Sequence, residues 1–198
     1  MRKFLVLLSI LPMFAWSAKV TLDKTNATLG FDVIKFKIGA PVKGTFNDLV
    51  GSYDFDVKTM TLSAVELTIP TNTVNTADEK RDEHLKSADF FDATKYPNMI
   101  FKSTGNVVVD AKKETDVPGQ LTIKDKTQDV VLKVKYLGLN KKTNHYKFKI
   151  STVIERSKFN ISFNKPMDKA DKSWSKDILA KFKNQLIDEN VNVNAELQ

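Results

Sequence analysis

The sequence predicts an all-β chain whose antiparallel strands form a barrel or a sandwich, with one helix set among them. Three observations predict it. Apolar and polar residues alternate through most of the chain after residue 18, which is the period of half-buried strands. Clusters of Asp, Asn, Lys and Gly separate these runs at short intervals, as in sheets built from hairpins. Long helical stretches never alternate with the strands, so a parallel sheet has no support. A chain of 198 residues can bury a real core. No internal repeat or low-complexity linker divides residues 18–198, so they are expected to form one domain.

Residues 1–17 stand apart. Arg2 and Lys3 give a basic start, Phe4 to Leu11 is an apolar run broken only by Ser9, and Ala15 and Ser17 supply small residues for cleavage. That pattern predicts a secretory signal peptide with a mature start near Ala18, and hence a periplasmic or secreted protein. The run is too short to span a bilayer. Export permits disulfides, yet the chain has no cysteine, so its core alone must hold it. Zinc sites built on Cys are excluded, and His84 and His145 as the only histidines make a His-rich metal site a poor expectation. The formal charge of +7 is spread along the chain, which suits solubility and transient contact with anionic membrane surfaces. Nucleic acid is not an expected partner of an exported protein.

The strands follow in order. Lys19 to Asp23 is a short first one. From Ala27, Leu29, Phe31 and Val33 alternate, and then the phase shifts to Ile34, Phe36 and Ile38. Such a shift predicts a bulge or bend, eased by Gly30 and Gly39. Period two continues through Val42, Gly44 and Phe46, through Gly51, Tyr53 and Phe55, and through Ser63, Val65, Leu67 and Ile69. Later strands are expected at Ile100 to Val109, Gly119 to Ile123, Val130 to Leu137, His145 to Ile154 and Val191 to Leu197.

The interruption lies between Thr76 and Phe101. Thr76 with Glu79 three residues on has the form of a capping box, which predicts a helix from Ala77. Good helix formers fill Glu79 to Lys86. Leu85, Ala88 and Phe91 recur at spacing three, giving one apolar face to a helix over about 77–92. Tyr96-Pro97 ends it.

This segment carries a family resemblance. Arg81, Asp82, His84, Leu85, Ser87, Asp89, Phe90, Phe91 and Asp92, followed by Tyr96, Pro97, Phe101 and Ser103, resemble the most recognisable stretch of the YceI-like bacterial lipid-binding proteins. Val42, Gly44 and Phe46 resemble its V-x-G-x-F. Gly119, Leu121, Thr122, Thr127, Val130 and Leu132 resemble its G-x-L-T-x-x-G-x-T-x-x-V-x-L, with Lys124-Asp125 where a glycine is expected. Arg156 and Phe159 resemble its late R-x-x-F. The resemblance implies a lipocalin-like antiparallel barrel of about eight strands around an apolar tunnel. It further implies a bound polyisoprenoid or other long-chain lipid, with no other cofactor, and is consistent with a homodimer. Two departures stand out. Asn26-Ala27 and Lys35 occupy positions where the family often has histidines, so head-group preference does not carry over. Residues 165–190 also form a longer connection than expected. There Trp174, Ile178, Leu179, Phe182 and Leu186 fall at helical spacing, predicting an amphipathic helix over about 173–187. It is expected to pack on the barrel; Lys176, Lys181 and Lys183 on its polar face suit contact with a membrane or partner.

Catalysis is not expected. Asp82, Glu83, His84, Asp89 and Asp92 are close in sequence, but charged helix positions mostly face water or bond nearby backbone. The chain lacks a nucleophile elbow, a phosphate-cradling Gly-rich loop and H-E-x-x-H, and no metal site is expected. An esterase would need a serine activated by His84 or His145. Given a tunnel, the alternation and the paired phenylalanines at the end of the helix select Phe31, Val33, Leu67, Phe90, Phe91, Phe101, Leu132 and Phe148 as its lipid-binding wall. Arg81 is the candidate head-group contact, since a guanidinium pairs with phosphate or carbonyl oxygen. Thirteen phenylalanines suit a plain core equally. The alternative is therefore a filled barrel acting as a periplasmic interaction or stress-response module without a lipid.

Overall fold

The computed structural model describes residues 18–35, 41–161 and 187–197. The expected leader over 1–17 lies outside them. So does the helix expected over 173–187, except for Ile187, which begins a strand.

The strands are β1 (Ala18–Leu22), β2 (Ala27–Lys35), β3 (Pro41–Phe46), β4 (Val50–Asp56), β5 (Thr61–Pro70), β6 (Val74–Asn75), β7 (Asn98–Ser103), β8 (Val107–Val108), β9 (Thr115–Ile123), β10 (Lys126–Asn140), β11 (His145–Glu155) and β12 (Ile187–Leu197). The helix α1 (Glu79–Lys86) lies between β6 and β7. The strands form one curled antiparallel sheet in the order β1-β4-β5-β7-β9-β10-β11-β12-β2-β3-β6, with β8 added beside β5. β5 runs on through a 3-10 turn, Thr71–Thr73, into β6, which pairs with β3. One stretch of chain thus touches both sides of the curl and draws the half-barrel together. The expected count was about eight. The described residues give twelve, because β1, β6 and β8 are short accessory pairings.

The expected strand over Ile100 to Val109 is two pieces, β7 and β8, which both pair with β5. Within β5 the backbone bulges at Ala64, which has φ +48°, where Ser52 faces Glu66 but Asp54 faces Ser63. The extra residue lets Leu62 and Val65 both turn to the core. At the phase shift expected in β2, the pairing with β12 jumps from Val33–Val191 to Lys35–Ile187. The surplus residues sit on β12. Phe36, Ile38 and Gly39 lie outside the described residues.

Register fixes two ends. Phe148 pairs with Leu197, and Leu197 with Ala27, at one end. Glu155 pairs with Asn190 near the other, where the Ile123–Lys126 hairpin, the Pro70–Asn98 pair and α1 also lie.

The helix is shorter than expected, and its cap is different. Ala77 adopts φ +61°, outside the right-handed helical region, so no helix starts there. Asp78 is the N-cap and accepts from the Arg81 N–H at 3.1 Å. At the other end Ser87 is extended and its N–H donates to Glu83 and His84 carbonyls. Residues 87–95 then form turns in which Phe91 N–H donates to the Leu85 carbonyl and Asp92 takes φ +50°. Leu85 and Phe91 come together through these turns rather than through helical spacing, and Ala88 is exposed.

Candidate functional site

Alternation carried around the curl gives every strand from β2 to β12 in the main sheet an inner row. Leu29, Phe31 and Val33 form it on β2, Leu67 and Ile69 on β5, Met99 and Phe101 on β7, and Val130 and Leu132 on β10. On β11 the row is Ile150, Thr152, Ile154 and, just past the strand, Arg156. These rows and α1 enclose a cavity of about 560 Å³, within the roughly 300–1,000 Å³ range of ligand sites.

Two glycines make room for the larger wall rings. The Phe31 ring lies over Gly44 on β3 and the Phe101 ring over Gly119 on β9, and a Cβ at either glycine would overlap the ring. Phe31, Phe46 and Phe91 form a chain of rings with centroids 5.6 and 5.8 Å apart. This chain joins the sheet to the turn after α1. Leu85, Phe90 and Phe91 supply that side of the wall.

Of the residues expected in the wall, Phe31, Val33, Leu67, Phe90, Phe91, Phe101 and Leu132 do border the cavity. Phe148 does not. It is buried at the far end among Tyr53, Phe55 and Tyr136, at centroid distances of 5.5, 5.2 and 5.4 Å. These rings close the barrel there. Burial, with Tyr146 and Tyr136 nearby, pushes the Tyr53 hydroxyl up to about 12.

Polar groups gather where α1 meets the cavity. Arg81 borders it, but its guanidinium is engaged locally. Nε donates to Thr76 Oγ1 at 2.7 Å, Nη2 to the Thr76 carbonyl at 2.9 Å, and Nη1 lies 3.7 Å from Asp78. Thr76 Oγ1 in turn donates to the Asp82 carboxylate, which also accepts from the Thr76 N–H at 2.9 Å. Thr76 is therefore a buried rivet between β6 and α1, not a cap. His84 lies 3.2 Å from Asp89 and edge-on to the Phe90 ring.

Sequence reasoning missed Arg156 as a wall residue. It is 5% exposed, lines the cavity, and donates from Nη1 to the Ile161 carbonyl at 2.9 Å. The available signal was the inward row on β11, which reaches Arg156 two residues after Ile154. Among the described residues no group of three or more His, Cys, Asp or Glu could hold a metal ion. No described helix is long and apolar enough to cross a membrane.

A curled antiparallel sheet with an apolar interior, closed by aromatics at one end and bordered by a helix at the other, defines a lipocalin-like half-barrel. The YceI-like domain model matches residues 20–198, and the chain belongs to that family. It is similar to Protein YceI of Shigella flexneri, 43% identical over 95 residues, 48% of this chain and 49% of that protein. The aligned stretch thus spans about half the length of that relative. A solved YceI protein of Campylobacter jejuni is 30% identical and superimposes with a TM-score of 0.62, covering 80% of this chain and 84% of that one. A polyisoprenoid binding domain from Saccharophagus degradans shares the fold at 16% identity and a TM-score of 0.54, covering 92% and 97%.

Proposed function

We propose that this protein is exported and holds one long-chain isoprenoid or similar amphiphilic lipid in the cavity, for carriage or storage. The observation that carries the reading is the cavity itself: about 560 Å³ bounded mostly by Leu, Ile, Val, Met and Phe side chains. Each buried CH₂ of a bound tail contributes about 0.8 kcal/mol, so a long tail is retained without a strong polar anchor. The polyisoprenoid binding described for the Saccharophagus degradans domain supports this ligand class. The leader-like pattern of Arg2, Lys3 and the apolar run after them supports delivery outside the cytoplasm.

The chemistry required is burial alone. Chain length and width are selected by the cavity, whose far end is stopped by Phe148 and its neighbours. A filled barrel serving as an interaction module has the weaker support, because aromatic rings fill only that end. Mass spectrometry of an organic extract of the purified protein tests the reading. A stoichiometric long-chain species is expected. An extract empty of such species, together with failure to take up added prenol or fatty acid, would refute it.

A further inference from the structure

We propose that the lipid enters and leaves the cavity sideways, through a seam between β10 and β11, with its polar head seated in a groove outside the sheet. The proposal rests on the lipid-binding reading and adds the ligand's path and the seat of its head. The ladder between β10 and β11 runs from Asn140–His145 to Lys133–Ser151 and stops there. Both strands continue. β10 stays paired with β9 through Lys126, and β11 stays paired with β12 through Glu155. Residues 126–132 and 152–155 are thus held by their other neighbours, while the register between them has ended. Side chains bridge the interval instead. Thr152 Oγ1 donates to the Val131 carbonyl at 2.9 Å, and Gln128 Nε2 donates at 3.4 Å to the Lys158 carbonyl, just past β11. From Lys133 to Gln128 the seam is about 17 Å long at the rise of a strand.

Cavity and groove meet at this seam from opposite sides, because Val130, Thr152 and Ile154 border both. Val131 and Val153 stand on the outer lips, 44% and 59% exposed. Carrying the Lys133–Ser151 register on by two residues sets them opposite one another. A tail slipping between the strands here meets valine and isoleucine, and parting them breaks the Thr152 bond rather than a ladder of backbone bonds. The groove itself is polar, lined by Asp32, Lys133, Ser151, Glu155, Asn192 and Asn194 among others. Its charges are met within the protein. Asn192 Nδ2 donates to Asp32 at 2.8 Å, Lys133 Nζ lies 2.6 Å from Asp116, and Lys158 Nζ lies 2.8 Å from Glu155. Such a groove suits an uncharged head that both gives and takes hydrogen bonds, such as a hydroxyl.

The chain has no cysteine, so an engineered pair forms its sole disulfide. Val131→Cys with Val153→Cys staples the lips of the seam on oxidation; if they stand too far apart for a disulfide, dibromobimane, a short bis-thiol cross-linker, joins them. Uptake of hexadecanol by delipidated protein, followed by native mass spectrometry at timed intervals, is the readout. The reduced variant should load as the parent does, and the stapled one roughly tenfold or more slower. Reductant should restore the rate of the disulfide form. Lys135→Cys with Lys149→Cys staples the same strands where the ladder is intact and should load at the parent rate. At equilibrium hexadecanol should bind more tightly than hexadecanoate or hexadecyltrimethylammonium.

Loading of the stapled seam at the parent rate would overturn the route, leave lipid binding intact and put the mouth beside α1. Equal slowing by both staples would overturn it too, since stiffening of the sheet and not closure of a path would be the cause. A charged head that binds as well as the alcohol would remove the head from this groove. Failure of the parent protein to take up any of the three long-chain probes would defeat the lipid reading itself, and the seam with it.

Discussion

Replacing Phe148 with alanine removes the most enclosed ring of the barrel's closed end. The side chain is 1% exposed and touches Tyr53, Phe55 and Tyr136 on β4 and β10. The cost combines lost transfer energy with the void left behind, about 3–5 kcal/mol for a buried Phe→Ala. The upper part of that range is expected, because the neighbouring rings are held across paired strands and close-packed interiors relax only in part. A domain of this kind has about 5–15 kcal/mol in total. The variant should therefore fold, with a lower urea midpoint and an unchanged slope. Phe91→Ala is the comparison. Its half-buried ring borders space already open, so the loss should be about 1–2 kcal/mol, scaled from partial burial, with weaker retention of lipid. Equal stability losses in the two variants would refute this division between plug and wall. So would a Phe148→Ala loss below about 1 kcal/mol.

Asp78→Ala removes the cap of α1 and should cost about 1 kcal/mol, read as faster amide exchange along Glu79–Lys86; unchanged exchange would move the cap elsewhere. Lys124 sits at φ +56° in the β9–β10 hairpin, so Lys124→Gly relieves roughly 1 kcal/mol of strain and should raise the urea midpoint. A lower midpoint would mean that the Lys124 Nζ bond to the Asn160 carbonyl outweighs it. Tyr53 is held protonated to about 12 against an ordinary 10. Between those values the unfolded chain has lost a proton that the fold keeps, so stability is full below about 10 and falls as pH rises toward 12. The decline amounts to about 2–3 kcal/mol, and Tyr53→Phe should flatten much of it.

Period-two alternation carried most of the fold because an antiparallel strand with one wet face writes its register into the sequence. The inner row of β2 and the strand positions of Tyr53, Phe55 and Phe148 were legible for that reason. Alternation gives the face of a residue but not its height along the barrel. Phe148 and Leu132 therefore read alike, although one plugs an end and the other borders the cavity. The capping-box pattern at Thr76 and Glu79 misled because left-handed Ala77, with no glycine to mark it, moves the cap to Asp78 and the helix start to Glu79. Arg81 looked free for a head group since sequence does not show that Thr76 folds back onto it. Arg156 was hidden by its type: a charged residue at a strand end usually faces water, and only three-dimensional curling turns this one inward.

Native mass spectrometry of the folded protein shows directly whether the cavity holds a single long hydrocarbon. One long-chain lipid per chain is expected in the parent protein. That mass should be lost in Leu67→Arg, which sets an unpaired charge against the tail, and the load should be weaker or more mixed in Phe91→Ala. Circular dichroism would show both variants folded. An empty parent protein, or an unchanged load in both variants, would contradict a lipid-filled cavity.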